Sequence, residues 1–163
     1  MEMQITDLKR KNFGFNEFFD SITLKDNQLE FYKLSQDIQE QYLENGILLA
    51  DKMQEIRDKL GLPIDISSGW RSPLLNKMVD GKKNSQHLIF QACDWRPIID
   101  RVIIRDTNKL KDIVLKIKEL GIIADQCLVE ETWIHYSIKK DGNRNQFATY
   151  LKNSAGKRVL KLI

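Results

Sequence analysis

Gln126-Cys127-Leu128-Val129-Glu130-Glu131-Thr132-Trp133-Ile134-His135-Tyr136-Ser137-Ile138 holds two short apolar runs around a brief acidic connection. Gln126–Glu130 and Trp133–Ile138 each read as a strand, and the gap suits a hairpin or a bulged strand. On the N-terminal side, Leu110, Ile113, Val114, Ile117 and Leu120 share one face of a helix over Thr107–Leu120, closed by Gly121. Before it, Gln91–Trp95 reads as a strand ended near Pro97, and Asp80–Asn84 as a turn cluster. Gly69–Gly81 is a loop with one helical turn after Pro73, and Ile64–Ser68 is a short strand. Residues from about Gln28 to Leu60 look largely helical, with Gly46 a candidate interruption. Leu49, Met53, Ile56 and Leu60 then share a face, and Gly61 and Pro63 stop the helix. Phe13–Leu24 is an aromatic capping segment. This order predicts an α+β fold, a small, mostly antiparallel sheet with helices packed on one side, in a single domain over residues 1–163.

Hydrophobic residues make up 42% and charged residues 30% of the 163, enough for a core without disulfide staples. Cys93 and Cys127 are read as buried thiols. No run of about 18 apolar residues predicts a membrane span, and Met1–Phe15 lacks the apolar stretch of a signal peptide. The net charge of +3 is mild, although residues 139–163 form a basic C-terminal tail with Arg144, Lys157, Arg158 and Lys161. Such a tail suits an anionic polymer or a solvated face. Without interleaved aromatic and basic residues, no nucleic-acid partner is expected.

The chain has only two histidines, His87 and His135. His87 follows a polar turn, and Asp94 lies seven residues on, between Cys93 and Trp95, where an unpaired carboxylate is costly. Two imidazoles and a carboxylate make a metal shell with room for water, suited to zinc but also to iron or manganese. Glu130 and Glu131 precede His135 and are candidate general bases. A strand-face count back from His135 favours Glu131. Arg71, in a loop after Gly69 and Trp70, can hold a carboxylate or an oxyanion, and Ser85 can contact substrate or cap its turn.

Together these residues resemble the zinc D-alanyl-D-alanine carboxypeptidase family and its phage L-alanyl-D-glutamate endopeptidase (endolysin) relatives. Ser68-Gly69-Trp70-Arg71-Ser72, then Ser85-Gln86-His87 through Ala92 and Asp94, then Trp133-Ile134-His135 match its motifs in order and spacing, from about residue 13 to 138. The resemblance implies that His87, Asp94 and His135 bind Zn2+ and that Arg71 contacts the substrate. Counting forward from Asp125 along the family pattern favours Glu130 as base, whereas the strand-face count makes Glu131 the first choice. One position departs: the family glycine after the first histidine is Phe90, which implies a changed loop and a bulkier pocket wall.

The implied activity is a zinc metallopeptidase hydrolysing an amide bond of the peptidoglycan stem peptide. It is either an endolysin-like endopeptidase or a D-Ala-D-Ala carboxypeptidase, acting as a monomer. Synthesis in the cytoplasm and later release to the cell wall, or association with a virion, would fit. The alternatives are a non-catalytic phage structural or wall-binding protein that kept the fold, and a metal-free domain with coincidental histidines.

Overall fold

The structure, a computed structural model, describes residues 2–163; Met1, part of the single-domain expectation, lies outside it. The helical stretch breaks at Lys33–Ser35 instead of at Gly46. Helix α1 spans Asn27–Tyr32, and Ser35 caps helix α2 (Gln36–Leu60) by accepting from the Ile38 N–H. α2 ends at Gly61, whose φ of 66° is left-handed. Strand β1 (Ile64–Ser68) and the short helix α3 (Pro73–Met78) follow, α3 capped by Ser72. Then come β2 (Ala92–Ile99), β3 (Val102–Ile103), helix α4 (Thr107–Glu119), β4 (Gln126–Val129) and β5 (Ile134–Ser137). β4 and β5 form the expected antiparallel hairpin.

The residues expected as a basic tail instead build β6 (Gln146–Lys152) and β7 (Arg158–Leu162). β6 pairs parallel to β4, so the mixed sheet runs β1-β2-β5-β4-β6-β7, with β3 on β2. Every other strand pair is antiparallel. β2 also continues past Pro97. The Ile98 N–H donates to Pro63 O, so the nitrogen of Pro97 faces the opposite side. There β5 pairing stops at Trp95, and Pro97 O accepts from the Ile104 N–H, a bond that needs no proline N–H.

Strand alternation divides the sheet into two chemically different faces. Cys93, Tyr136, Cys127 and Phe147 lie on one cross-strand rung and join the core with Leu49, Met53 and Ile56 of α2 and Leu110, Val114 and Ile117 of α4. The next rung, Asp94, His135, Leu128 and Ala148, points the other way. The two long helices therefore cover one face and leave the other for the polar site. Burial pushes both Cys93 and Cys127 thiols up from the usual range.

Phe90 corrects one expectation. Its backbone adopts the left-handed conformation that a glycine would favour, φ 65° and ψ 30°. The turn thus places a phenylalanine in a conformation that glycine adopts freely. Nor does the ring wall the pocket: it is fully buried, with centroids 5.3 Å from Phe19 and 6.3 Å from Phe31. It fills the space over Gly46, where an added Cβ would sit 3.0 Å from the ring. Left-handed backbone costs a non-glycine residue about 1–2 kcal/mol, and losing a buried phenylalanine ring costs about 3–5 kcal/mol. Packing therefore wins. Two consequences can be measured by urea unfolding. Phe90→Ala should lose about 3–5 kcal/mol, while Phe90→Gly, which also relieves the backbone, should lose about 1 kcal/mol less. Gly46→Ala should be more favourable beside Phe90→Gly than in the parent, giving a coupling of at least about 0.5 kcal/mol in a double-mutant cycle.

Candidate functional site

Asp94 and His135 face each other directly across the β2–β5 pair. His135 Nδ1 lies 3.1 Å from Asp94 Oδ1. His87 enters from the 3-10 turn Gln86–Ile89, with Nε2 at 3.3 Å from the same oxygen. One donor atom from each residue falls within 4.8 Å of the others, close enough to share one metal ion. Asp94 is 5% exposed and His87 2%.

His87 is oriented from behind. Its Nδ1 lies 2.7 Å from Gly69 O, so the ring donates there and leaves the Nε2 lone pair toward Asp94. Burial holds this imidazole below its ordinary range, although Asp94 pulls the other way. Burial also works against ionised Asp94, yet His87 and His135 hold its carboxyl well below the usual range. With Nδ1 committed to Gly69 O, a neutral His87 would turn its Nε2 lone pair toward Asp94 Oδ1, and a cation between them would satisfy both. The donor set fits zinc. Gly69 cannot be enlarged here, because a Cβ would stand 2.2 Å from Phe18 O.

Arg71 sits beside this cluster. A register shift in β1 between Ile66 and Ser68 places Ser68 opposite Asp94, and Ser68 Oγ accepts from Arg71 Nε at 3.1 Å. Arg71 Nη2 donates to Asp94 Oδ2 at 2.9 Å. Ser85 caps the 3-10 turn, its Oγ accepting from the His87 N–H at 3.3 Å, and also borders the cleft. The cleft encloses about 620 Å³, with Glu130 and Trp133 among its lining residues. Glu131 is exposed, does not line the cleft, and is tied through its backbone oxygen to Thr107 Oγ1. The strand-face count toward Glu131 does not apply, because β5 begins only at Ile134. Residues 130–133 form a turn closed by the Glu130 N–H donating to Trp133 O.

Several supporting residues escaped the sequence analysis. Buried Asn27 donates to Phe19 O and Trp70 O and accepts from the Ser72 N–H, fixing both sides of Arg71. Nothing in its local sequence marks that role. Arg144 reaches buried Asp125 through Nη2 at 2.6 Å, and Gln86, next to His87, donates to the same carboxylate at 3.1 Å. Tyr150 and Arg158 come from the C-terminal strands and line the cleft. Arg158 pairs with Glu130 and stacks its guanidinium 3.8 Å from the Tyr150 ring centroid.

Residues 24–136 match the family model described as Peptidase M15, and the chain belongs to that family. It is the zinc D-alanyl-D-alanine carboxypeptidase family whose motifs the sequence resembles, a family of zinc-dependent metallopeptidases. No curated protein matches the chain.

Asp125 gives the site a pH signature. Burial opposes its ionisation, but Arg144 holds the carboxyl below its ordinary value. A depressed carboxyl contributes stability above its unfolded pKa, about 3.9, and loses it as pH falls toward the folded value. Thermal melting of the parent should therefore fall steeply below about pH 4. Asp125→Asn should start lower near neutral pH and show a shallower acid limb. Parallel limbs for the two proteins would refute the linkage.

Proposed function

We propose that the protein is a zinc peptidase that hydrolyses an amide bond of the peptidoglycan stem peptide, with His87, Asp94 and His135 as metal ligands and Glu130 as general base. The convergence of the three donors inside a cleft that also contains Glu130 carries this reading. When bound, zinc would polarise the scissile carbonyl and make the attacking water more acidic. Glu130 takes the proton as the water oxygen bonds to the carbonyl carbon. The carbon–nitrogen bond then breaks, and Glu130 returns the proton to the departing amine. Arg71, tied to Asp94 and Ser68, turns its remaining N–H groups toward the developing oxyanion. His87, pinned by Gly69, keeps its Nε2 lone pair directed inward. Ser85 shapes the turn that presents His87.

The cleft extends past the donors on both sides. Arg71 stands on the β1 side, and Tyr150 and Arg158 on the β6–β7 side. A substrate running through it favours an endolysin-like endopeptidase over a carboxypeptidase that trims a terminus.

Metal analysis and digestion of purified muropeptides test the assignment. The parent should hold one zinc per chain and release fragments whose masses name the bond. His135→Ala should lose both zinc and turnover. Glu130→Gln should keep zinc while kcat falls about 10²- to 10⁴-fold, and Glu131→Gln should stay near the parent. Parental turnover by Glu130→Gln would falsify the base assignment.

A further inference from the structure

The four cations lining the cleft differ in what holds them. Arg71 is committed to Asp94 and Arg144 to Asp125, both buried carboxylates. Lys82 is a flexible point charge at the rim. Arg158 is different: its carboxylate partner is Glu130, the group that the proposed reaction needs for the water. Its side chain keeps 47% exposure, so a ligand can reach it. Glu130 is not its only support, because the guanidinium carbon also sits over the Tyr150 ring, 3.8 Å from its centroid. A stacked, planar fork of this kind suits bidentate binding of a carboxylate.

Both residues belong to strands beyond the family-matched segment, which ends at residue 136. The parallel register that pairs Val129 with Thr149 carries Tyr150 alongside Glu130. We infer that Arg158, seated on Tyr150, is a specificity-determining residue that binds a free carboxylate of the substrate peptide and, in doing so, releases Glu130 to the attacking water. This rests on the peptidase reading above. The β6 strand stands two strand spacings from the His135 rung, about 10 Å, and an extended peptide advances about 3.4 Å per residue. The recognised carboxylate therefore belongs to a residue within about three positions of the scissile amide. A carboxamide at that position replaces it poorly: it is uncharged, and its NH2 group turns donors toward one arm of the donor-only guanidinium.

A chemical double-mutant cycle tests the pairing. The probes are two purified muropeptides that differ only in whether the stem glutamate carboxylate is free or amidated. With the zinc-loaded parent, amidation should raise KM about 10-fold, the usual weight of one charge-assisted contact. Arg158→Gln should raise KM for the free-acid muropeptide by a similar factor and respond little to amidation. Arg158→Lys, which keeps the charge without the fork, should recover part of the discrimination. Thermal melting of each variant separates a folding defect from a binding one. Equal KM for both muropeptides with the parent would overturn this inference while leaving the peptidase assignment standing. So would full discrimination retained by Arg158→Gln. Failure of the zinc-loaded parent to cleave either muropeptide would overturn both.

Discussion

A carboxylate buried in the middle of a sheet must be neutralised, and Asp94 meets that demand with different partners on its two oxygens. Oδ2 takes the permanent charge of Arg71, while Oδ1 faces the two imidazoles. An uncompensated charge here would cost several kcal/mol. Much of the surrounding backbone serves this arrangement. The β1 irregularity presents Ser68 to Arg71, Asn27 ties Trp70 and Ser72, and the Gly69 carbonyl sets the His87 ring. The N-terminal aromatic segment is thus part of the site's support. Phe18 O receives the Trp70 N–H, and the close approach of the two segments is what Gly69 permits.

The exchange at Phe90 shows how packing can substitute for backbone freedom. The 3-10 turn that carries His87 needs a left-handed residue at its end, and the ring there is held by Phe19, Phe31 and the bare surface of Gly46. A strained torsion three residues from His87 is therefore stabilised by contacts with segments distant in sequence. The turn is fixed by volume, where a glycine would leave it freer.

Alternation and helical periodicity made most of the first 138 residues legible, including the β4–β5 hairpin and the faces of α2 and α4. The convergence of His87, Asp94 and His135 was legible too, since each stands out in its own segment. The C-terminal strands were not. β7 is exposed along its whole length, so burial imposes no alternation on its sequence, and its lysines and arginines resemble a solvated tail. β6 depends on a parallel partner fixed only by the rest of the sheet. Glu130 and Glu131 could not be separated by counting because a four-residue turn interrupts the strand before His135. Pro97 suggested an end to β2, yet its nitrogen points away from β1 beyond the last residue that β5 pairs, and its carbonyl still takes the Ile104 N–H, so the strand continues.

The pleat also decides which donor atoms the cleft is offered. Thiolates bind zinc strongly and complete closed, inert shells. Cys93 adjoins Asp94, and Cys127 adjoins Leu128 of the same rung, yet both sulfurs lie on the opposite surface of the sheet, sealed under the helices. A one-residue slip of β2 against β5 would bring sulfur to where oxygen now stands. Strand register therefore works as a chemical filter, keeping soft donors out of reach and turning the nitrogen and oxygen set toward the cleft.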